Sequence, residues 1–109
     1  MDIERHVPIV RRQQVQRVAG SVIQARLGQP FFIDLQRSGH KAGAAWLDVF
    51  DHSILSCDSS GFAGQYQGDG VLWWQFTPCR SGTTTIDIVD QPNLINPLFV
   101  TRVYTVQVS

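Results

Sequence analysis

From residue 22 onward, apolar and polar side chains alternate with a period of two, which turns one face of an extended chain inward and the other toward solvent. Residues 22–27 (Val-Ile-Gln-Ala-Arg-Leu) read as a strand that Gly28-Gln29-Pro30 breaks. Residues 31–35 follow as a second strand, with Phe31, Ile33 and Leu35 on one face. Residues 44–50 form a third, in which Trp46 is the expected core anchor, and residues 53–57 a shorter fourth. The stretch 58–70 holds four Gly and reads as turn-rich. A fifth strand spans 71–77, with Trp74 and Phe76 on one face; a sixth, rich in β-branched residues, spans 83–89 after the turn Arg80-Ser81-Gly82. Residues 90–97 form a loop with Pro92 and Pro97. The last strand, 99–108, places Val100, Arg102, Tyr104, Val106 and Val108 on one face.

About seven short strands, separated by turn signals at roughly 8–12-residue intervals, predict an all-β chain: an immunoglobulin-like antiparallel β-sandwich. Residues 21–109 are expected to form this domain. Residues 1–20 are expected to be an N-terminal arm or an extra strand, in which 11–19 carry a weak helical option.

The 109 residues suffice for one domain, and an apolar fraction of 43% suffices for one core. Nine Lys and Arg balance nine Asp and Glu, which argues against nucleic acid as the main partner because phosphate binding needs a basic surplus. The charge is uneven: Arg5, Arg11, Arg12, Arg17 and Arg26 face only Asp2 and Glu4 in the first quarter of the chain. That basic arm could touch a membrane or an acidic partner, or could simply be solvated. No stretch approaches the roughly 18 apolar residues of a membrane span. Val7-Pro8-Ile9-Val10 is too short for a signal-peptide core. As written the chain reads as cytoplasmic; a removed leader would make it periplasmic or secreted.

Cys57 and Cys79 have Gly68 as their midpoint. If the fourth and fifth strands form a hairpin centred there, the two thiols oppose each other within disulfide range; the alternative is two separate buried thiols. His6, His40 and His52 do not stand at spacings that complete a metal set with them, so no metal is expected. Catalytic patterns are missing as well. Gly68-Asp69-Gly70 does not lead into a helix and so is not a phosphate cradle. Asp48 with Asp51, and Asp87 with Asp90, are not spaced as working pairs on strands, and His40 beside Lys41 has no implied nucleophile. The chain is expected to be a non-enzyme without a cofactor.

The order of strands and loops resembles the chagasin-like inhibitors of papain-like cysteine peptidases. The resemblance runs over residues 21–108: the strand–Gly–strand opening through Leu35, Gly43-Ala44-Ala45-Trp46, Gly68-Asp69-Gly70 before an aromatic strand, Trp74-Gln75-Phe76 with Gly82 and Ile86-Asp87-Ile88, Gln91-Pro92-Asn93, and residues 102–108. In that family three loops at one end of the sandwich enter the peptidase cleft without covalent chemistry. The resemblance places the corresponding loops at 38–44, 67–72 and 90–96, with Ser38, Gly39, His40, Lys41, Ala42, Gly43, Gly68, Asp69, Gly70, Gln91, Pro92 and Asn93 as peptidase-binding residues. The loop motifs depart from the family's. Its Asn-Pro-Thr-Thr-Gly is replaced by the longer Ser38-Gly39-His40-Lys41-Ala42-Gly43, and its Arg-Pro-Trp by Gln91-Pro92-Asn93.

The resemblance therefore implies a monomeric protease inhibitor whose partner is a papain-like cysteine peptidase. The alternative is an immunoglobulin-like recognition or assembly module without inhibitory activity, using an edge strand or an aromatic patch of Trp73, Phe62 and Tyr66.

Overall fold

A computed structural model of the chain describes residues 16–37, 44–64, 69–91 and 99–109. Their alternating side chains are realised as seven strands: β1 (Gln16–Ala25), β2 (Phe31–Arg37), β3 (Ala45–Phe50), β4 (Leu55–Gly64), β5 (Gly70–Pro78), β6 (Gly82–Asp90) and β7 (Val100–Val108). Two sheets result, in the orders β1-β7-β6-β3 and β2-β5-β4. The expected β-sandwich is therefore the observed fold.

The core lies between the sheets. The four-stranded sheet contributes Ala25, Ile86, Ile88, Tyr104, Val106 and Val108; the three-stranded sheet contributes Ile33, Leu35, Leu55, Trp74 and Phe76. Phe76 is fully buried, stacked on Phe31 at 5.7 Å and meeting the Phe50 ring edge-on at 5.5 Å. Burial of these large side chains from both sheets supplies the main driving force for docking one sheet on the other.

Four expectations are corrected. Gln16–Ala19 are strand and not helix, because they pair with Val100–Val103 of β7; the rest of the weak helical option lies outside the described residues. This β1–β7 pairing is parallel, whereas the other pairs are antiparallel as expected. Residues 58–64 belong to β4 and are not turn: their Ser, Gly and Ala hide the alternation, but their backbone pairs with β5 as far as Gly64↔Gly70. Trp46 is no core anchor. It stands on the outer face of β3, 45% exposed, while Ala45, Leu47 and Phe50 pack inward.

The cysteine expectation fails on register. A bulge between Cys57 and Ser59 and the pairing Leu55↔Pro78 put Cys57 opposite Phe76. Cys79 lies beyond the end of β5, exposed, with its backbone N–H bonded to the Ile54 carbonyl at 2.7 Å. Both thiols are free, and only Cys57 is even partly buried, so neither the disulfide nor a pair of buried thiols describes them.

Candidate functional site

Registers within each sheet define the two ends of the sandwich. In the three-stranded sheet, Arg37, Gly70 and Gly64 lie side by side. In the four-stranded sheet, Ala45, Asp90, Val100 and Gln16 do the same. An ion pair between Arg37 and Asp90 joins these two rows, so they share one pole. Three connections leave it: from β2 to β3, from β4 to β5 and from β6 to β7. The opposite pole is closed by tight turns. There Leu27 N–H donates to the Ser109 carbonyl, and Gly28, at φ 81°, donates to the Pro78 carbonyl, both at 3.0 Å. A positive φ of this size suits glycine, which has no Cβ to clash with the carbonyl.

Several contacts fix the roots of the long connections. Asp90, the last residue of β6, is 1% exposed. Its Oδ1 accepts from Nη2 of Arg37, the last residue of β2, and its Oδ2 accepts from Nε of Arg102 on β7 at 3.0 Å. Arg37 also donates through Nη1 to the Gln36 carbonyl at 3.1 Å and is itself buried, whereas the Arg102 side chain is 35% exposed. Gln91 N–H donates to the Ala44 carbonyl at 2.8 Å, tying the start of one connection to the end of another. Trp46 packs edge-to-face on Phe99 at 5.7 Å, at the end of the connection into β7. The root of β7 is also bonded to β1, through Gln16 N–H to the Phe99 carbonyl at 3.3 Å.

Of the residues expected to bind, Asp69 is exposed just ahead of β5, Gly70 opens that strand opposite Arg37, and Gln91 follows β6. All three lie at this pole. Ser38, Gly39, His40, Lys41, Ala42, Gly43, Gly68, Pro92 and Asn93 lie outside the described residues. Of the alternative aromatic patch, Phe62 and Trp73 both border one groove at the edge of the three-stranded sheet. Trp73 pairs with Gly61 and Phe62 with Leu72, so the two rings start from opposite faces of the sheet. Tyr66 lies outside the described residues. Trp73 also meets Phe32 edge-on at 5.9 Å on the outer face.

Sequence reasoning missed the Arg37–Asp90–Arg102 cluster, although the alternation signals it. Arg37 continues the inward row of Phe31, Ile33 and Leu35; Asp90 continues Ile86 and Ile88; Arg102 lies between Val100 and Tyr104. Three charges on inward positions near the same pole demand one another, because a buried charge is tolerated only when paired.

Beside this pole the sheets part. Between the edge strands β3 and β4 a groove of about 530 Å³ is lined by Ala45, Trp46, Phe62, Leu72 and Trp73, and by Cys57 and Trp74. Partial burial, and secondarily the charge of Asp58, push the Cys57 thiol above its ordinary value of 9.0. Burial likewise raises the Tyr104 phenol, with Asp90 adding to the effect and Arg102 opposing it. Among the described residues no group of three or more His, Cys, Asp or Glu is placed to hold a metal ion, and no helix is long and apolar enough to cross a membrane.

The two-sheet arrangement is similar to that of several solved structures. The cysteine protease inhibitor EhICP2 from Entamoeba histolytica superimposes with a TM-score of 0.59 at 13% identity, over 87% of this chain and 96% of that one. Amebosin gives 0.61 at 17% identity, over 86% and 98%. PbICP-C, solved in complex with falcipain-2, gives 0.62 at 12% identity, over 87% and 89%. Identities this low speak for a shared fold. No family model matches the sequence, and no curated protein matches it.

Proposed function

We propose that the protein is a proteinaceous inhibitor of papain-like cysteine peptidases, not an enzyme, and that it blocks the active-site cleft with the three connections at this pole, taken as the expected loops 38–44, 67–72 and 90–96 less residues 70–72 and Asp90, which belong to strands. The observation that carries this reading is the convergence of the three loop roots on one pole, held together by Asp90 and by the Gln91–Ala44 bond. A wedge of loops on stiff strands loses little conformational freedom when it docks, so more of its contact energy appears as affinity. The fold supports the same reading, since it is similar to EhICP2, a cysteine protease inhibitor, and to PbICP-C, which was solved with falcipain-2. In this chain Lys41, Asp69 and Gln91 offer the polar contacts, and Gly39 and Gly43 let the backbone approach closely.

Titration of the protein into papain and several cathepsin-like peptidases tests it. Reversible inhibition that competes with substrate is expected. No inhibition at micromolar concentration across these enzymes would sink the proposal. A second reading, a recognition module without inhibitory activity, is favoured by the half-exposed Phe32 beside Trp73 on the outer face of the three-stranded sheet. It predicts a protein partner lost on Phe32→Ser, a change that leaves peptidase inhibition alone.

A further inference from the structure

We propose that Asp90 is a positioning residue for the loop pole: its one carboxylate, shared by Arg37 of one sheet and Arg102 of the other, sets the spacing of the loop roots. This inference rests on reading the pole as the binding surface. Asp90 occupies an inward position that continues Ile86 and Ile88, where an apolar side chain would extend the core. Three charges in that place are a poor device for stability alone, because the desolvation of buried ions largely cancels their attraction. What they supply is direction. Apolar contact fixes burial but not angle, whereas a carboxylate bonded through both oxygens to two guanidinium groups is geometrically demanding.

The place where this geometry is imposed matters. Asp90 ends β6 and Arg102 lies on β7, the two strands joined by one loop, while Arg37 ends β2, which feeds another. The third loop enters β5 at Gly70, directly opposite Arg37 in the ladder. At the β3–β4 side of the pole an open groove, lined by Ala45, Phe62 and Leu72, leaves apolar contact between the sheet edges incomplete, so apolar packing is a weaker constraint there. The carboxylate thus links strands that serve all three loops.

Asp90→Asn keeps the shape and one acceptor oxygen while removing the charge. Two measurements on this variant decide the matter. Amide hydrogen exchange of the free protein is expected to speed up by about tenfold or more at Gln91 and the neighbouring strand ends, with amides around Phe76 unchanged. Dissociation from papain is expected to quicken by about tenfold or more, with association altered by less than about threefold. Unchanged exchange at the pole, or equal acceleration at the pole and around Phe76, would overturn the proposal, since the second pattern is simple loss of stability. Should Asp90→Asn not fold, Arg102→Gln, at the half-exposed partner, serves the same comparison. If the unaltered protein fails to inhibit any peptidase, the functional reading falls, and the exchange measurement still decides whether Asp90 positions the pole.

Discussion

Phe76 and Trp46 are both aromatic side chains inside strands, yet they face opposite environments. Phe76 has no exposed surface and touches the rings of Phe31 and Phe50. Trp46 is 45% exposed and rests on Phe99. Phe76→Ala should therefore destabilise the fold by about 3–5 kcal/mol, through lost transfer energy and an unfilled cavity. Trp46→Ala should lose only about 1–2 kcal/mol, from the area it covers and one edge-to-face pair. Urea unfolding of the two variants checks the order, and a reversed order would mean that the faces of β3 are wrongly assigned. The inward row of Phe31, Ile33 and Leu35 was legible from alternation alone, as were Trp74 and Phe76. Trp46 was not. Residue size suggests burial, but orientation in β3 depends on the bulge between Leu47 and Val49, which shifts the register.

At the scale of elements, the link from β3 to β4 shows how a short turn is held. Ser53 donates to Asp51 Oδ1 from both its hydroxyl, at 2.6 Å, and its backbone N–H, at 2.8 Å. Ile54 and Leu55 N–H groups return to the Asp51 carbonyl at 3.1 and 3.0 Å. The Ser53 hydroxyl bond, followed by the backbone bond, holds the Asp51 carboxyl below its ordinary value of 3.8. A carboxyl with a lowered folded value stabilises the fold fully above its unfolded value and loses that contribution as pH falls through the folded one. The stability gap between the protein and its Asp51→Asn variant should thus be present at neutral pH and shrink as pH drops below 3.8. Thermal melts across that range measure it; a gap that is constant with pH would contradict the role. Two further elements were opaque in the sequence. The second half of β4 has no apolar alternation to read, since it is an edge strand held by its backbone pairing with β5. The extension of β1 back to Gln16 depends on β7, a partner far away in the chain.

For the molecule as a whole, the core draws on both sheets, so the two should part together. The two thiols report on this. Cys79 is exposed at the far pole, while Cys57 is partly buried opposite Phe76 with its thiol raised by burial. A thiol reagent near neutral pH should modify Cys79 first and Cys57 more slowly, with the difference abolished in denaturant. Equal native rates would show that the sheets open readily along the β3–β4 edges. The sandwich and its count of about seven strands were legible at this scale, whereas the order of the strands within the sheets was not. Alternation put the charges of the electrostatic hub on inward positions, but which charge pairs with which was not legible, because Arg37 lies 53 residues from Asp90 and on the other sheet. The charges of Asp87 and Asp90 show the difference: Asp87 pairs across the outer face with Arg17 at 3.3 Å, and Asp90 points inward.

The parallel pairing of β1 with β7 also sets Gln16 and Ser109 at opposite poles. Gln16 stands level with Val100 at the loop pole, whereas Ser109 follows Val108 at the far pole, bonded to Leu27 and Ala25. A fluorophore, affinity handle or surface anchor joined at Ser109 therefore starts from the far pole, away from the roots of the three long connections. The same attachment at Gln16 starts beside Val100 and Asp90, at the pole where the proposed peptidase contact would lie.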